Sequence, residues 1–157
     1  MTDIGTVLGG RYRLVELLGQ GGMATIYRAA DTQLGRDVAI KLLRPEYLRD
    51  PDFSSRFRQE AQNAASLNHP NVVSVYDYGE DPSGPYIVME LVDGEDLATI
   101  LRRSGALPPR QSARIGAGVA QALAAGGSDT VLVSIFLDGG ADSLSLLFLA
   151  GQLTSPA

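Results

Sequence analysis

Up to Leu43 the apolar positions come in short, partly alternating bursts; beyond residue 50 they recur at helical spacing. YRLVELL, from Tyr12 to Leu18, is rich in β-branched and aromatic residues and predicts a strand. ATIYRAAD predicts a second strand, with Thr25, Tyr27 and Ala29 on one face and Ile26 and Arg28 on the other. DTQLGRD supplies turn residues, and VAIKLL from Val38 to Leu43 predicts a third strand, so the opening reads as an antiparallel meander.

The period then changes. Phe53, Phe57, Ala61, Ala64 and Leu67 fall on one helical stripe. The helix should open at Asp50 or Asp52 with Pro51 as its first residue, and stop at His69-Pro70-Asn71. VVSVYDYG and PYIVMELV, the latter from Pro85 to Val92, predict two more strands around an EDPSG turn. VDGEDLATILRR predicts a short helix capped near Asp93. LPPRQSARIGAGVAQALAAGG predicts a longer one, opened by its prolines, with Ile115, Val119 and Leu123 on one side and Gly126-Gly127 closing it. The expected fold is α+β: a five-stranded antiparallel sheet with one helix, followed by two helices and a short apolar tail. In the tail, VLVSIFL and LSLLFLAGQL flank DGGAD, and neither approaches the roughly 20 apolar residues of a membrane span.

Composition narrows the classes of function. With 157 residues, 45% apolar and 20% charged, the chain suits one globular domain of ordinary size. A net charge of -5 disfavours nucleic acid as a partner, because phosphate contacts need a basic patch. There is no cysteine, which removes disulfides and thiolate metal sites. The opening MTDIGTVLGG lacks the basic start and apolar run of a signal peptide, so the expected location is cytoplasmic. The charge is uneven. All 13 Lys and Arg precede residue 126, whereas residues 126–157 hold only Asp129, Asp138 and Asp142. That break sets the tail apart in origin or role, unless it is a chance fluctuation over a short stretch.

Candidate chemistry begins at LGQGGMATIYRAAD. A dinucleotide fingerprint needs its glycines to open a helix, but a strand-forming segment follows here. A P-loop would end in Gly-Lys-Ser/Thr, which is missing. What remains is a hairpin whose glycine tip can approach a ligand closely and offer backbone N–H groups. Lys41 lies between Ile40 and Leu42 in an apolar strand and needs a partner if it points inward. Glu60, beside Phe57 and Ala61 on the helix, can supply the charge. Alternatively, Lys41 lies on the wet face of an edge strand and Glu60 is solvated helix surface.

Taken together, LGQGGMATIYRAAD, DVAIKLL, RFRQEAQNAASLNHPNVV and PYIVMELVDGEDL resemble the small lobe of a bacterial Hanks-type serine/threonine protein kinase. The resemblance runs from about Tyr12 to Ala125. It implies residues 1–11 as a lead, 12–92 as the small lobe, 93–125 as the hinge exit and first helices of an incomplete large lobe, and 126–157 as an apolar acidic tail. It also implies that Gly19, Gly21 and Ala24 occupy the glycine positions of the nucleotide loop, with Gly22 beside them. Ala24 departs from the general pattern. Leu18, Ile26 and Ala39 would roof the adenine. Lys41 would contact the α- and β-phosphates and Glu60 would hold it. Met89 would be the gatekeeper, and the backbone of Glu90 and Val92 would bond the adenine edge. His69 would be structural, in the turn after the helix.

The resemblance also has an end. The family's His-Arg-Asp with its downstream Asn, its Asp-Phe-Gly and its Ala-Pro-Glu are not in these 157 residues. Asp138 and Asp142, in FLDGGAD, lack the neighbours that would make either a substitute. The expected function is therefore weak ATP binding without phosphoryl transfer. Magnesium is expected for the family, but its protein ligands are missing. The alternative is a non-enzymatic kinase-like module that binds no nucleotide. The tail TVLVSIFLDGGADSLSLLFLAG faintly resembles the opening strand and acidic loop of alkaline-phosphatase/sulfatase-like proteins, without the other ligands of such a metal cluster. It reads otherwise as filler over an uncovered apolar edge or as a self-association element. A truncated or fused reading frame would account for both the charge break and the missing motifs.

Overall fold

The computed structural model describes residues 2–94 and 97–125. The expected tail strand Val131–Leu137, the acids Asp138 and Asp142, and the Gly126-Gly127 helix stop lie outside the described residues. Among the described residues six strands form: β1 (Val7–Leu8), β2 (Tyr12–Gln20), β3 (Ala24–Asp31), β4 (Arg36–Leu43), β5 (Val75–Asp81) and β6 (Gly84–Met89). Three α-helices accompany them: α1 (Pro51–Ala65), α2 (Leu97–Ser104) and α3 (Pro109–Ala125). The strands make one antiparallel sheet in the order β1-β2-β3-β4-β6-β5.

The sheet thus has one strand more than the five expected. The extra strand, β1, lies in the expected lead, which also covers the outer edge of β2. Leu14 donates its N–H to the Thr6 carbonyl at 2.9 Å and accepts from the Gly5 N–H at 2.8 Å. Val7 and Leu8 are too few to show alternation, so nothing local marks them as a strand. β5 begins at Val75 rather than Val72, and β6 ends at Met89 rather than Val92, because the neighbouring strands give out there. Met89 is the last residue of β6 with partners on both sides, Ala39 on β4 and Val75 on β5.

One face of the sheet carries a core of Leu8, Tyr12, Leu14, Tyr27, Ala29, Val38, Ile40, Leu42, Tyr86 and Val88. Alternation sends the neighbouring residues to the other face, where Ala24, Leu43 and Ile87 pack on Phe57 and Ala61 of α1. α1 starts as its sequence dictates: the Asp50 carboxylate caps the Asp52 N–H at 3.0 Å, and Pro51 occupies the first turn. It buries Phe57, Glu60, Ala61 and Ala64, while Phe53 is half-buried and tilts against Tyr47. Leu67 lies past the helix end, in a small cluster with Val72, Ala122 and Leu123 that docks α3. Asn71 reinforces this contact by donating to the Gly118 carbonyl at 3.2 Å. α2 is described from Leu97, so the cap expected near Asp93 adjoins residues 95 and 96, outside the described set.

The sheet curls until its two ends meet. Gly9 N–H donates to Asp81 at 3.1 Å, and Tyr12 donates to Asp77 at 2.8 Å. Tyr86 fills the space between, meeting Tyr12 edge-on at 6.1 Å. A Cβ at Gly9 or Gly79 would collide with the Tyr86 hydroxyl, so both positions are sterically reserved. Asp31 anchors this closure. Its side chain is fully buried and accepts two bonds from Arg11, at 2.8 and 2.7 Å, plus the N–H groups of Gln33 and Leu34. The Arg11 guanidinium, helped by those two amides, holds the Asp31 carboxyl down to about 2 against the upward push of burial.

A carboxyl whose folded-state pKa is depressed stabilises the fold above its ordinary value, near 3.8, and loses that contribution as pH falls through the folded value. Denaturant midpoints of the native chain should therefore drop between about pH 4 and pH 2. Asp31→Asn should be less stable at neutral pH and lose less over the same window. Equal pH dependence of the two chains, followed by circular dichroism, would remove Asp31 from this role.

Candidate functional site

The strand register brings the candidate residues into rows. Gly19 pairs with Ile26, Ile26 with Lys41, Lys41 with Ile87, and Ile87 with Tyr78, one row across five strands. At about 4.8 Å between neighbouring strands, this puts the Gly19 backbone roughly 10 Å from that of Lys41. The next row on the same face holds Arg28, Ala39, Met89 and Val75. Register irregularities flank Val15 and Leu18, bending β2 before its glycine tip.

Lys41 points inward, into the space beneath α1. Its Nζ lies 2.6 Å from Glu60 Oε1, and the side chains are only 5% and 6% exposed. Phe57 flanks the ammonium, its ring centroid 6.0 Å away. Burying either charge alone would be costly, and pairing them removes most of that penalty. One demand stays open: Glu60 Oε2 is buried with no hydrogen-bond partner among the described residues. It lines a cavity of about 20 Å³ with Lys41, Ala61, Ala64, Val73, Val75, Ile87 and Met89. Small-molecule pockets usually span about 300–1,000 Å³, so this cavity by itself encloses no ligand of that size.

The other candidates differ in exposure. Ala39 and Met89 are buried, Ile26 is half-buried, and Leu18 and Val92 are 45% and 55% exposed. The Glu90 N–H is taken up by the Ser74 carbonyl at 2.9 Å, and the Glu90 carboxylate accepts the Ser74 N–H at 3.2 Å. Only the Glu90 carbonyl is left to meet a ligand there, a restriction invisible in the sequence. At the glycine tip, Gly21 N–H closes the turn onto the Ala24 carbonyl at 2.9 Å. Gly22 follows it within that turn. His69 organises its own loop: its Nδ1 accepts the Asn71 N–H at 3.1 Å, and its carbonyl accepts the Val72 N–H at 3.0 Å.

Sequence reasoning missed two charged elements around this site. Arg58, on the exposed side of α1, pairs with Glu80 of β5 and thereby ties the helix to the sheet from outside. Arg44, just after β4, reaches back to the carbonyls of Gly21 and Gly22. Neither pairing follows a helical or strand spacing, so no local signal announces it. A second cavity, of about 80 Å³, lies on the opposite face of the sheet from Lys41 and is lined by Thr2, Thr25, Tyr27, Leu42 and Arg44 among others. Among the described residues no three His, Asp or Glu gather as a metal ion would require. No helix among them is long and apolar enough to cross a membrane.

Comparison with known proteins agrees with this geometry. The family model described as protein kinase domain matches residues 12–131, running past Ala125. A probable serine/threonine-protein kinase of Streptomyces coelicolor is 55% identical over 120 residues, covering 74% of this chain and 18% of that protein. Serine/threonine-protein kinase PknB of Mycobacterium tuberculosis is 52% identical over 120 residues, covering 74% and 19%. PrkC of Bacillus subtilis is 46% identical over 121 residues, covering 77% and 19%. The chain thus spans about a fifth of the length of these curated relatives. Among solved structures, the PknI kinase domain of Mycobacterium tuberculosis superposes with a TM-score of 0.68 at 32% identity, covering 80% of this chain and 51% of that one. Rad53 in complex with AMP-PNP superposes at 0.61 with 28% identity, covering 73% and 29%.

The buried pair generates a stability test. Lys41→Met alone strands a buried carboxylate and should cost about 3 kcal/mol. Adding Glu60→Leu removes the stranded charge and should recover most of that loss. Urea unfolding of the two single variants and the double variant measures the coupling. Additive losses would mean that the pair is solvated.

Proposed function

The chain belongs to the protein kinase family, as part of a serine/threonine kinase domain, and from that premise we propose that its described residues form the nucleotide-binding wall of that domain. The observation that carries this reading is the buried Lys41–Glu60 pair, set in the same row of the sheet as Gly19. An ammonium held in place by a carboxylate, rather than free in water, is pre-oriented to meet a polyphosphate. ATP suits the chemistry of the wall. Leu18, Ile26 and Ala39 offer apolar surface to a base, with Met89 at its back. The Glu90 carbonyl and the Val92 N–H offer one acceptor and one donor to its edge. Gly19, Gly21, Gly22 and Ala24 add a backbone that a phosphate can approach closely, since none carries a side chain beyond Cβ. The Rad53 complex with AMP-PNP supports the choice of ligand by analogy.

In this reading Lys41 draws charge from the α- and β-phosphates and Glu60 fixes its direction. A bound magnesium ion would supply charge neutralisation on the phosphates, but the described residues offer no ligand cluster for one, so no step is assigned to it. His-Arg-Asp and Asp-Phe-Gly, which in this family orient the acceptor hydroxyl and hold the metal, are missing from the 157 residues. We therefore assign this chain weak ATP binding and no phosphoryl transfer of its own, in the cytoplasm, the compartment that supplies ATP. The small size of the cavity beside Lys41 favours the second reading, a kinase-like module that holds no nucleotide.

Calorimetry with millimolar ATP separates the two readings. Binding with a dissociation constant on the order of 1 mM, abolished in Lys41→Met/Glu60→Leu, is the expected result. No heat from a chain shown to be folded would establish the module without nucleotide. A radiolabelled ATP assay with Mg or Mn should give no incorporation. Incorporation that Lys41→Met abolishes would overturn the assignment and turn attention to Asp138 and Asp142.

The apolar run Val131–Leu137 suggests self-association, because six apolar residues in seven positions do not rest comfortably in water. Removing residues 128–157 should shift the sedimentation profile toward monomer and leave ATP affinity unchanged. Identical profiles would eliminate a role for the tail in assembly.

A further inference from the structure

Three successive carbonyls at the tip of the β2–β3 hairpin accept hydrogen bonds from one residue. Arg44 Nη1 donates to Gly21 O and to Gly22 O, each at 3.3 Å. The Arg44 backbone N–H donates to Met23 O at 2.9 Å. The other end of the guanidinium is fixed as well, with Nη2 donating to Glu46 Oε1 at 2.8 Å. The side chain of Arg44 is 28% exposed, so it lies along the protein surface and is not free in solvent.

The direction of these bonds matters. Ile26 pairs with Lys41 and Thr25 with Leu42, so Lys41 and Leu42 project to opposite faces of the sheet. Continuing the alternation puts Arg44 on the Leu42 face, away from Lys41. Its place in the wall of the cavity shared by Thr25, Tyr27 and Leu42 agrees with this. A peptide unit is planar and trans, so its C=O and N–H point in opposite directions. Carbonyls of Gly21 and Gly22 drawn toward Arg44 turn the N–H groups of Gly22 and Met23 the other way, toward the face of Lys41.

We infer that Arg44 is a positioning residue for nucleotide binding: its guanidinium, braced by Glu46, latches the glycine hairpin so that the Gly22 and Met23 amides turn toward the Lys41 face, where the phosphates would lie. The inference rests on the nucleotide reading proposed above. Arg44 touches no ligand in this arrangement; it acts through the backbone that does. The latch joins two carbonyls on Nη1 to the Glu46 carboxylate on Nη2 through one rigid planar group, a span that a lysine, with all its donors on one nitrogen, cannot reproduce.

The test uses the full chain with Arg44→Gln and Arg44→Lys, with Lys41→Met as reference, and two readouts. By calorimetry, both Arg44 variants should lose about tenfold in ATP affinity, the scale of one or two lost charge-assisted hydrogen bonds. Adenosine, which has no phosphate to meet the loop, should keep its affinity. By amide hydrogen exchange without ligand, the Gly21 N–H, bonded to Ala24 O, should exchange about tenfold faster in both Arg44 variants and unchanged in Lys41→Met. A native ratio of ATP to adenosine affinity in Arg44→Lys would mean that only charge matters, and would overturn the latch. Parallel losses for ATP and adenosine would mark Arg44 as a support of the fold and overturn it too. If the native chain binds neither compound, the nucleotide reading itself has failed. The exchange rate of Gly21 still decides the latch in that case, an unchanged rate in Arg44→Gln refuting it.

Discussion

A lysine ammonium in the interior of an apolar strand can be buried only beside an anion, and here that anion is Glu60, 19 residues further along the chain. Much of the arrangement follows from this pairing. To bring Glu60 to Lys41, α1 must pack over β5 and β6, within reach of β4, with one rotation about its axis. That rotation also turns Phe57 and Ala61 inward, onto Leu43, Ala24 and Ile87, and Ala64 onto Leu67 and Val75. The apolar stripe and the ion pair therefore specify the same helix orientation. Charge adds little net stability in such a pair, but a mispaired arrangement would strand a buried ion, and that penalty selects against other registers.

The opposite face of the sheet is organised by different means. There a continuous apolar layer is closed at its rim by Arg11, Asp31 and Asp77, which tie the β1–β2 turn to the far edge strand. This closure fixes the base of the β2–β3 hairpin, while the hairpin tip projects beyond the cover of β1. The tip consists of Gly21, Gly22 and Met23; Met23 packs on the core beneath α1, and Arg44 tethers the two glycine carbonyls from the Leu42 face. The tip is thus held by one apolar side chain and a handful of backbone hydrogen bonds, not by a strand partner beyond it.

Much of this was legible in the chain itself. The strand bursts, the Asp50-Pro51 helix start and the stripe of Phe57, Ala61 and Ala64 are local signals, each carried by residues within a few positions of one another. Lys41 could be marked as needing a partner because its neighbours Ile40 and Leu42 are apolar. The ends of β5 and β6 were misplaced for an equally physical reason: a strand lasts only as long as its neighbours pair with it, and propensity does not record where β4 stops.

Residue spacing, then, determined the element types, the sheet-plus-helix class and the glycine turn, and it named Glu60 as the acid that an inward Lys41 could meet. Tertiary structure decided that Lys41 does turn inward to Glu60, that Val7 and Leu8 complete the sheet edge, that the Glu90 N–H is already taken by Ser74, and that Arg44 reaches the glycine carbonyls. Each of these joins groups that the chain separates and only strand register and helix packing bring within bonding distance. Hydrogen bonds and ion pairs act over about 3 Å, whereas the sequence orders residues along a line.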